Sequence, residues 1–434
     1  MRSLAAYVRS LNPDLPRSVQ TLQLGALMNA FGNGLAYPFL FIYLHNVRGM
    51  GLGITGLIVA TNALVGLVAG PASGPLVDRL GGRRMLAVSL VVMSVGYGSY
   101  PWVHEAWQGF LASAVAGAGN AAFWPSQSSL IAGLAPREKR HAAFAVQRIM
   151  MNLGIGLGAM AGGFIATTSD PSTFKVLFLA DAATFLAYIG ALVLVPEPRR
   201  VEGHGDAALG GYGAVLRHRV FMSVIALNFV LITAGMSLIE VFPAYVKNQA
   251  GVNERGIGWI FLVNTLFIVV IQLPTAKFLE GRRRMWSLAM VCAVWAATWL
   301  VVPVVGEGLT GAEATVLFAV LFALFGLGEC LHGAVQAPLV SDLADHRLIG
   351  RYMAMSALSW QVGFAAGPAA GGFLLAASPT ALWLGAAAVL LGAGAAALAL
   401  EKSLPARVRR TPAGRKGPEP VPSEIPTREA FGVE

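Results

Sequence analysis

Residues 70–85 read Gly-Pro-Ala-Ser-Gly-Pro-Leu-Val-Asp-Arg-Leu-Gly-Gly-Arg-Arg-Met, and their reading decides the fold. Apolar runs at 52–68 and 86–100 flank them. Each run suits a helix that crosses a bilayer, which takes ~20 mostly apolar residues. A short basic loop between two such helices stays on the cytoplasmic side, because Lys and Arg resist translocation.

Working outward, the whole chain has the same character. Of its 434 residues 56% are hydrophobic and only 12% are charged, where a soluble domain carries ~25% charged residues. An aqueous globular fold is therefore excluded. The net charge of +9 would suit nucleic acid if it were gathered on one face. It is instead spread through short gaps between apolar runs, where it reads as a topology signal and as contacts to anionic lipid head groups. Cys292 and Cys330 both fall inside apolar runs and read as small packing residues. No metal-ligand spacing accompanies them. Residues 1–19 hold two prolines and no continuous apolar run, so they read as a cytoplasmic leader and not a cleaved signal peptide.

Twelve spans are expected, at roughly 20–45, 52–70, 85–103, 107–133, 143–167, 176–196, 220–246, 256–279, 285–305, 313–340, 353–376 and 380–400. The expected fold is an all-α membrane protein with both termini in the cytoplasm. Basic residues test that orientation. The inner segments hold Arg79, Arg83, Arg84, Arg137, Lys139, Arg140, Arg199, Arg200, Arg217, Arg219, Lys277, Arg282, Arg283, Arg284, Arg347 and Arg351, whereas the outer loops hold only Arg48, Lys175, Lys247 and Arg255. The bias is strongly positive-inside.

The two halves repeat. Residues 55–58 with Asn62 align with 257–260 and Asn264, and Gly81-Gly82-Arg83-Arg84-Met85 is echoed by Gly281-Arg282-Arg283-Arg284-Met285. Gly117, Gly119, Asn120 and Gln127 match Gly326, Gly328, Glu329 and Gln336, and Gly154, Gly158 and Gly162 match Gly363, Gly367 and Gly371. A duplication of six spans gives two pseudo-symmetric six-helix bundles that rock about a central site. The expected organisation is a leader at 1–19, an N-terminal bundle at 20–196, a linker at 197–219, a C-terminal bundle at 220–400 and a disordered tail at 401–434 rich in Pro, Arg and Glu.

Polar side chains inside spans carry the functional signal, because each is costly in hydrocarbon. Asn29, Asn33 and Tyr37 share one face of the first span. Asn120, Phe123, Trp124 and Gln127 share one face of the fourth, and Glu329, His332 and Gln336 repeat that spacing in the tenth. Thr233, Met236 and Glu240 form a stripe in the seventh. Each amide fits substrate contact and helix-to-helix bonding equally well; Phe123 and Trp124 fit core packing better. A carboxyl desolvated in a membrane favours its neutral form and can carry a proton. Glu329 and Glu240 are the carrier candidates, the alternative being a carboxylate paired with Arg148. Asp181, near the outer end of the sixth span, joins the titratable set but fits a helix contact better. His332, one turn from Glu329, fits tuning of that acid and plain packing equally. Arg148, with Asn152 one turn on, either meets an anionic substrate or pairs with an acid near the cytoplasmic gate, and the gate is favoured.

Gly74, Asp78, Arg79, Gly81, Arg83 and Arg84 resemble the G-x-x-x-D-R-x-G-R-R signature of major facilitator superfamily transporters, at its usual place after the second span. The resemblance implies that spans one, four, seven and ten line a central cavity. It also implies that Asp78 latches the cytoplasmic side by facing the start of the eleventh span, where a helix N-terminus favours a carboxylate by ~0.3–1 kcal/mol. Gly367 and Pro368 begin a run similar to the G-P-x-x-G-G motif of the superfamily's exporters. That motif usually lies in the fifth span, where this chain has Ala159 in place of Pro, and the fourth-span R-x-x-x-G pattern has Ser113 in place of Arg.

The reading is a 12-helix transporter like the drug:proton antiporters, which exports small amphipathic or lipophilic compounds across the cell membrane by alternating access. Its partners are a small-molecule substrate, protons and membrane lipids, with no nucleic acid. It works as a monomer, with no cofactor or metal beyond the proton gradient. The alternative is uptake of an amino acid, sugar or organic anion by a symporter or uniporter. A non-transporting sensor or scaffold fits less well, given the paired loop motifs and intramembrane acids. An enzyme is not expected, since no nucleophile elbow, metal cluster or phosphate loop is present.

Overall fold

Apolar runs separated by short loops become long helices. The computed structural model describes residues 14–197, 212–345 and 348–412, without the side chains of Arg137 and His141. Most of the expected leader and linker, Arg199, Arg200, Arg347 and the tail beyond 412 lie outside the described residues. Among those described the chain is all-helical; the only strand-like feature is one isolated bridge, between Arg283 and Arg410.

The long helices are α1 Arg17–Ile42, α2 Leu52–Leu80, α3 Gly82–Gly98, α4 Ala106–Leu134, α5 Arg140–Ile165, α6 Ser172–Leu192, α7 Arg219–Ala234, α8 Glu254–Phe278, α9 Arg284–Gly308, α10 Gly311–Leu343, α11 Ile349–Ala377 and α12 Pro379–Leu400. Among the described residues, ten helical segments are long and apolar enough to cross a membrane. α4 and α11 are as long, but serines, amides and glycines dilute their apolar residues.

Local chemistry sets several ends. Gly81 joins α2 to α3 with φ +91°, a conformation that glycine adopts at little cost. Asn253 caps α8, its side-chain oxygen accepting from the Gly256 N–H at 2.9 Å. Ser378 caps α12, with Pro379 in the first turn, where its missing N–H is no loss.

The seventh span departs from expectation. A continuous helix over 220–246 was expected; α7 instead stops at Ala234, a tight turn covers Met236–Glu240, and a second helix runs Phe242–Ala250. Gly235 lies against the Trp295 ring, where any Cβ would collide, and Pro243 opens the new helix. Glu240 therefore stands at a helix break and not within a regular stripe.

Packing divides the chain. α1 packs on α5 and α6, α4 on α2 and α3, and α3 on α6; in the second half α7 packs on α11, α8 on α10, and α9 on α10 and α12. Across the halves the dominant contacts are α2 with α11 and α5 with α8. Both seams are glycine-lined. Gly56 lies against the Pro368 carbonyl and Gly372, and Gly163 lies against Gly258. The expected ladders also pack closely: Gly154, Gly158 and Gly162 of α5 abut α1, while Gly363, Gly367 and Gly371 of α11 abut the seventh span. In hydrocarbon, where apolar burial drives little association, such backbone approach supplies the dispersion contact.

The basic loops gather at one end. There Arg83 pairs with Glu197 at 3.8 Å, Arg283 with Glu401 at 2.5 Å, and Lys139 with Asp14 at 3.3 Å. At the far end Lys247 pairs with Glu254 at 2.9 Å.

Candidate functional site

The sites of interest lie where the halves meet. Tyr37 of α1 donates a hydrogen bond to Glu240 at the break in the seventh span, linking one half to the other. Tyr37 nonetheless remains 41% exposed, so it borders open space between the halves. Nearer the far end, Asn46 donates to Asn248 at 2.7 Å, and the Thr168 N–H donates to Glu254 at 2.9 Å. Among the described residues, three polar links thus join the halves away from the basic loops.

Glu329 of α10 is half-buried and accepts from the Asn264 side chain of α8 at 3.4 Å. Asn264 also donates to the Phe322 carbonyl at 2.8 Å. Neither Glu240 nor Glu329 has a cation within 4 Å among the described residues. Both carboxyls lie in the apolar helical segments and, among the described residues, hydrogen-bond to uncharged partners.

The expected stripes divide. On α1, Asn29 is buried, Asn33 half-buried and Tyr37 exposed. On α4, Trp124 is 47% exposed and meets the buried Phe123 edge-on, whereas Gln127 turns into the bundle and donates to Tyr188 at 3.1 Å. Asn120 donates to Asn62 of α2 at 3.4 Å. On α10, His332 is buried behind Glu329, with one ring nitrogen 2.8 Å from Asn228, whose amide donates to Ser359 at 2.8 Å. Trp295 and Trp360 flank the ring. Gln336 is buried, with its amide nitrogen unpartnered among the described residues.

Asp181 is 0% exposed, set against Gly32 of α1, and neither carboxyl oxygen has a partner among the described residues. Arg148 reaches from α5 across the divide to Gly333 of α10. Asn152 is half-buried one turn along.

In the basic loop, Gly74 has open space beside it, and Asp78, Arg79 and Arg84 are exposed. Gly81 lies against the Glu197 carboxylate, and Arg83 donates to the Val195 carbonyl at 3.2 Å besides pairing with Glu197. Gly367 seats on Ser237, and Pro368 is buried in the α2–α11 seam. Sequence reasoning assigned no role to Asn62, Asn264 or Asn228. The first two stood in the aligned repeat, which was the available signal.

Residues 22–253 and 225–432 each match the Major Facilitator Superfamily. The chain belongs to that superfamily. It is therefore a multi-pass membrane transporter of small molecules and not an enzyme, and it resembles the superfamily's drug:proton antiporters. It is 24% identical to multidrug resistance protein MdtH of Cronobacter sakazakii, over 80% of this chain and 84% of that protein. Identity is 20% to a Na(+), Li(+), K(+)/H(+) antiporter of Planococcus maritimus, covering 81% and 88% of the two chains. Among solved structures, a peptide transporter POT in complex with sulfate aligns with TM-score 0.73 at 16% identity, over 91% of this chain and 95% of that one. The nucleoside transporter NupG aligns with TM-score 0.74 at 10% identity, over 88% and 99%. At those identities the likeness speaks to fold alone.

Proposed function

We propose that this superfamily member is a proton-coupled exporter of small amphipathic or lipophilic compounds, working by alternating access as a monomer in the cell membrane. Twelve membrane-crossing helices form bundles at 20–196 and 220–400, joined by a cytoplasmic linker at 197–219, with the leader and the tail beyond 400 also in the cytoplasm. The positive-inside distribution supports that orientation.

The observation that carries the reading is Glu240 at a helix break between the halves, bonded to Tyr37 of the opposite half. Broken helices at the repeat interface are where such transporters bind cargo and coupling ions. Glu329 or Glu240 takes up a proton from outside and releases it inward as cargo binds; Asp181 is a third titratable site, shut inside the first bundle. Inward movement of one proton is favoured by ~2.3 kcal/mol per 100 mV. Asn29, Asn33, Tyr37, Asn120, Phe123, Trp124, Gln127, His332 and Gln336 form or back the cargo wall. The basic-loop motif, with Asp78 as its acid, and the Gly367-Pro368 hinge make the gate on the basic side. The multidrug resistance protein and the cation/proton antiporter among its relatives carry names that agree with this reading.

Everted vesicles test it. Added cargo should dissipate an established pH gradient, and Glu240→Gln and Glu329→Gln, at wild-type expression, should each suppress that response. Full gradient-driven transport in both variants removes the proton assignment, and cargo movement indifferent to the gradient favours uniport.

A further inference from the structure

Arg148, a basic residue set well inside a span, has no part in the coupling scheme. It lies about two turns into α5, at a depth where an ionised side chain is retained only for a purpose. Its side chain is exposed, yet among the described residues it makes no hydrogen bond and no ion pair within 4 Å. The guanidinium rests on Gly333 of the facing half, where a Cβ would collide with its nitrogens. Glu329 stands one helical turn deeper on α10, and His332 is occupied by Asn228. The guanidinium thus presents unused N–H donors to the space between the halves, and its fork geometry matches a carboxylate or similar oxyanion.

We infer that Arg148, seated on Gly333, is a specificity-determining residue that binds an ionised oxyanion on the cargo, so that the preferred cargo is an amphipathic compound with an anionic group. This rests on the transport reading and narrows its substrate class. Of the two roles open to Arg148 from sequence, the seat across the divide favours contact with cargo. The anionic end then lies toward the basic loops and the rest of the cargo toward Glu329, Tyr37 and Trp124.

Three matched probes test it on the purified full-length protein: phenylacetate, phenylacetamide and phenethylamine, with binding read from thermal stabilisation in detergent. Wild type should respond to phenylacetate at concentrations about tenfold lower than to the amide. Arg148→Gln should erase that preference and Arg148→Lys keep part of it. Gly333→Ala retains every charge but moves the guanidinium off its seat, so it should weaken the preference, and it serves where Arg148→Gln misfolds. A wild type that does not favour phenylacetate, or a preference that survives Arg148→Gln, overturns the inference and leaves the proton scheme untouched. Gradient-driven transport that survives in both Glu variants does the reverse.

Discussion

The two halves place an asparagine at the same position and give it different partners. In the first half Asn62 of α2 meets Asn120 of α4; in the second, Asn264 of α8 meets Glu329 of α10. Both separations are 3.4 Å, and the residues correspond in the aligned repeat. The duplicated scaffold thus keeps an interhelical polar contact, while only the second half makes one partner an acid. An amide pair holds two helices together whatever the pH. An amide with a carboxyl does the same work and adds a group that can gain or lose charge. The other acids deepen the contrast. Asp181 of the first half is shut away from solvent, whereas Glu240 and Glu329 both stand half-buried at the divide.

The sharpest way to break this contrast is Glu329→Gln, which turns the second-half pair into the kind found in the first. Gradient-driven transport is expected to fall to the level of empty vesicles. The α8–α10 contact should survive, because the glutamine carbonyl still accepts from Asn264. Thermal stability should therefore move by less than about 1 kcal/mol, in line with single interhelical hydrogen bonds in membranes. A variant that loses transport and unfolds together would mean that the carboxyl serves structure first.

A second comparison sets two glycines of α2 against each other. Gly56 is pressed on the Pro368 carbonyl in the α2–α11 seam, whereas Gly70 has nothing within 4 Å of the space a Cβ would fill. Gly56→Ala is expected to destabilise the protein by about 1–3 kcal/mol through overpacking. Gly70→Ala should be neutral or stabilising by up to about 1 kcal/mol, since it relieves glycine's helix penalty. Thermal melts of the two variants check the pair, and equal shifts would deny that the seam is tight.

These contrasts also show how far sequence reaches. The long apolar runs, the alternation of basic loops and the internal repeat were legible because bilayer thickness and charge placement act on many residues at once. The break in the seventh span was not. It depends on Gly235 meeting Trp295, a contact between residues far apart in the chain. The α4 stripe was legible as a face and not as a destination. Helical spacing sets Trp124 and Gln127 on one side, but whether that side meets open space or the Tyr188 hydroxyl depends on the neighbouring helix. Arg148 was legible as an anomaly, and only the placement of α10 showed what it rests on.

The smallest expected effect comes from a repeated ion pair at the basic end. Arg83 and Arg283 occupy matching loops, and each reaches the acid that follows the last helix of its own half, Glu197 or Glu401. The first pair is loose, at 3.8 Å with both side chains about a third exposed. The second is tight, at 2.5 Å with the Glu401 side chain only 8% exposed, although Arg283 itself is 61% exposed and so partly screened by solvent. Exposed pairs contribute ~0–1 kcal/mol. Arg83→Ala should therefore lie near the bottom of that range and Arg283→Ala near the top. Salt separates them further, because the screening length falls to ~3 Å at 1 M and an open pair loses most of its attraction there. Melting curves at low and high salt should show the Arg83 contribution vanish while part of the Arg283 contribution persists. If the two substitutions respond alike to salt, the halves are equivalent at this end, and their difference is confined to the acids at the divide.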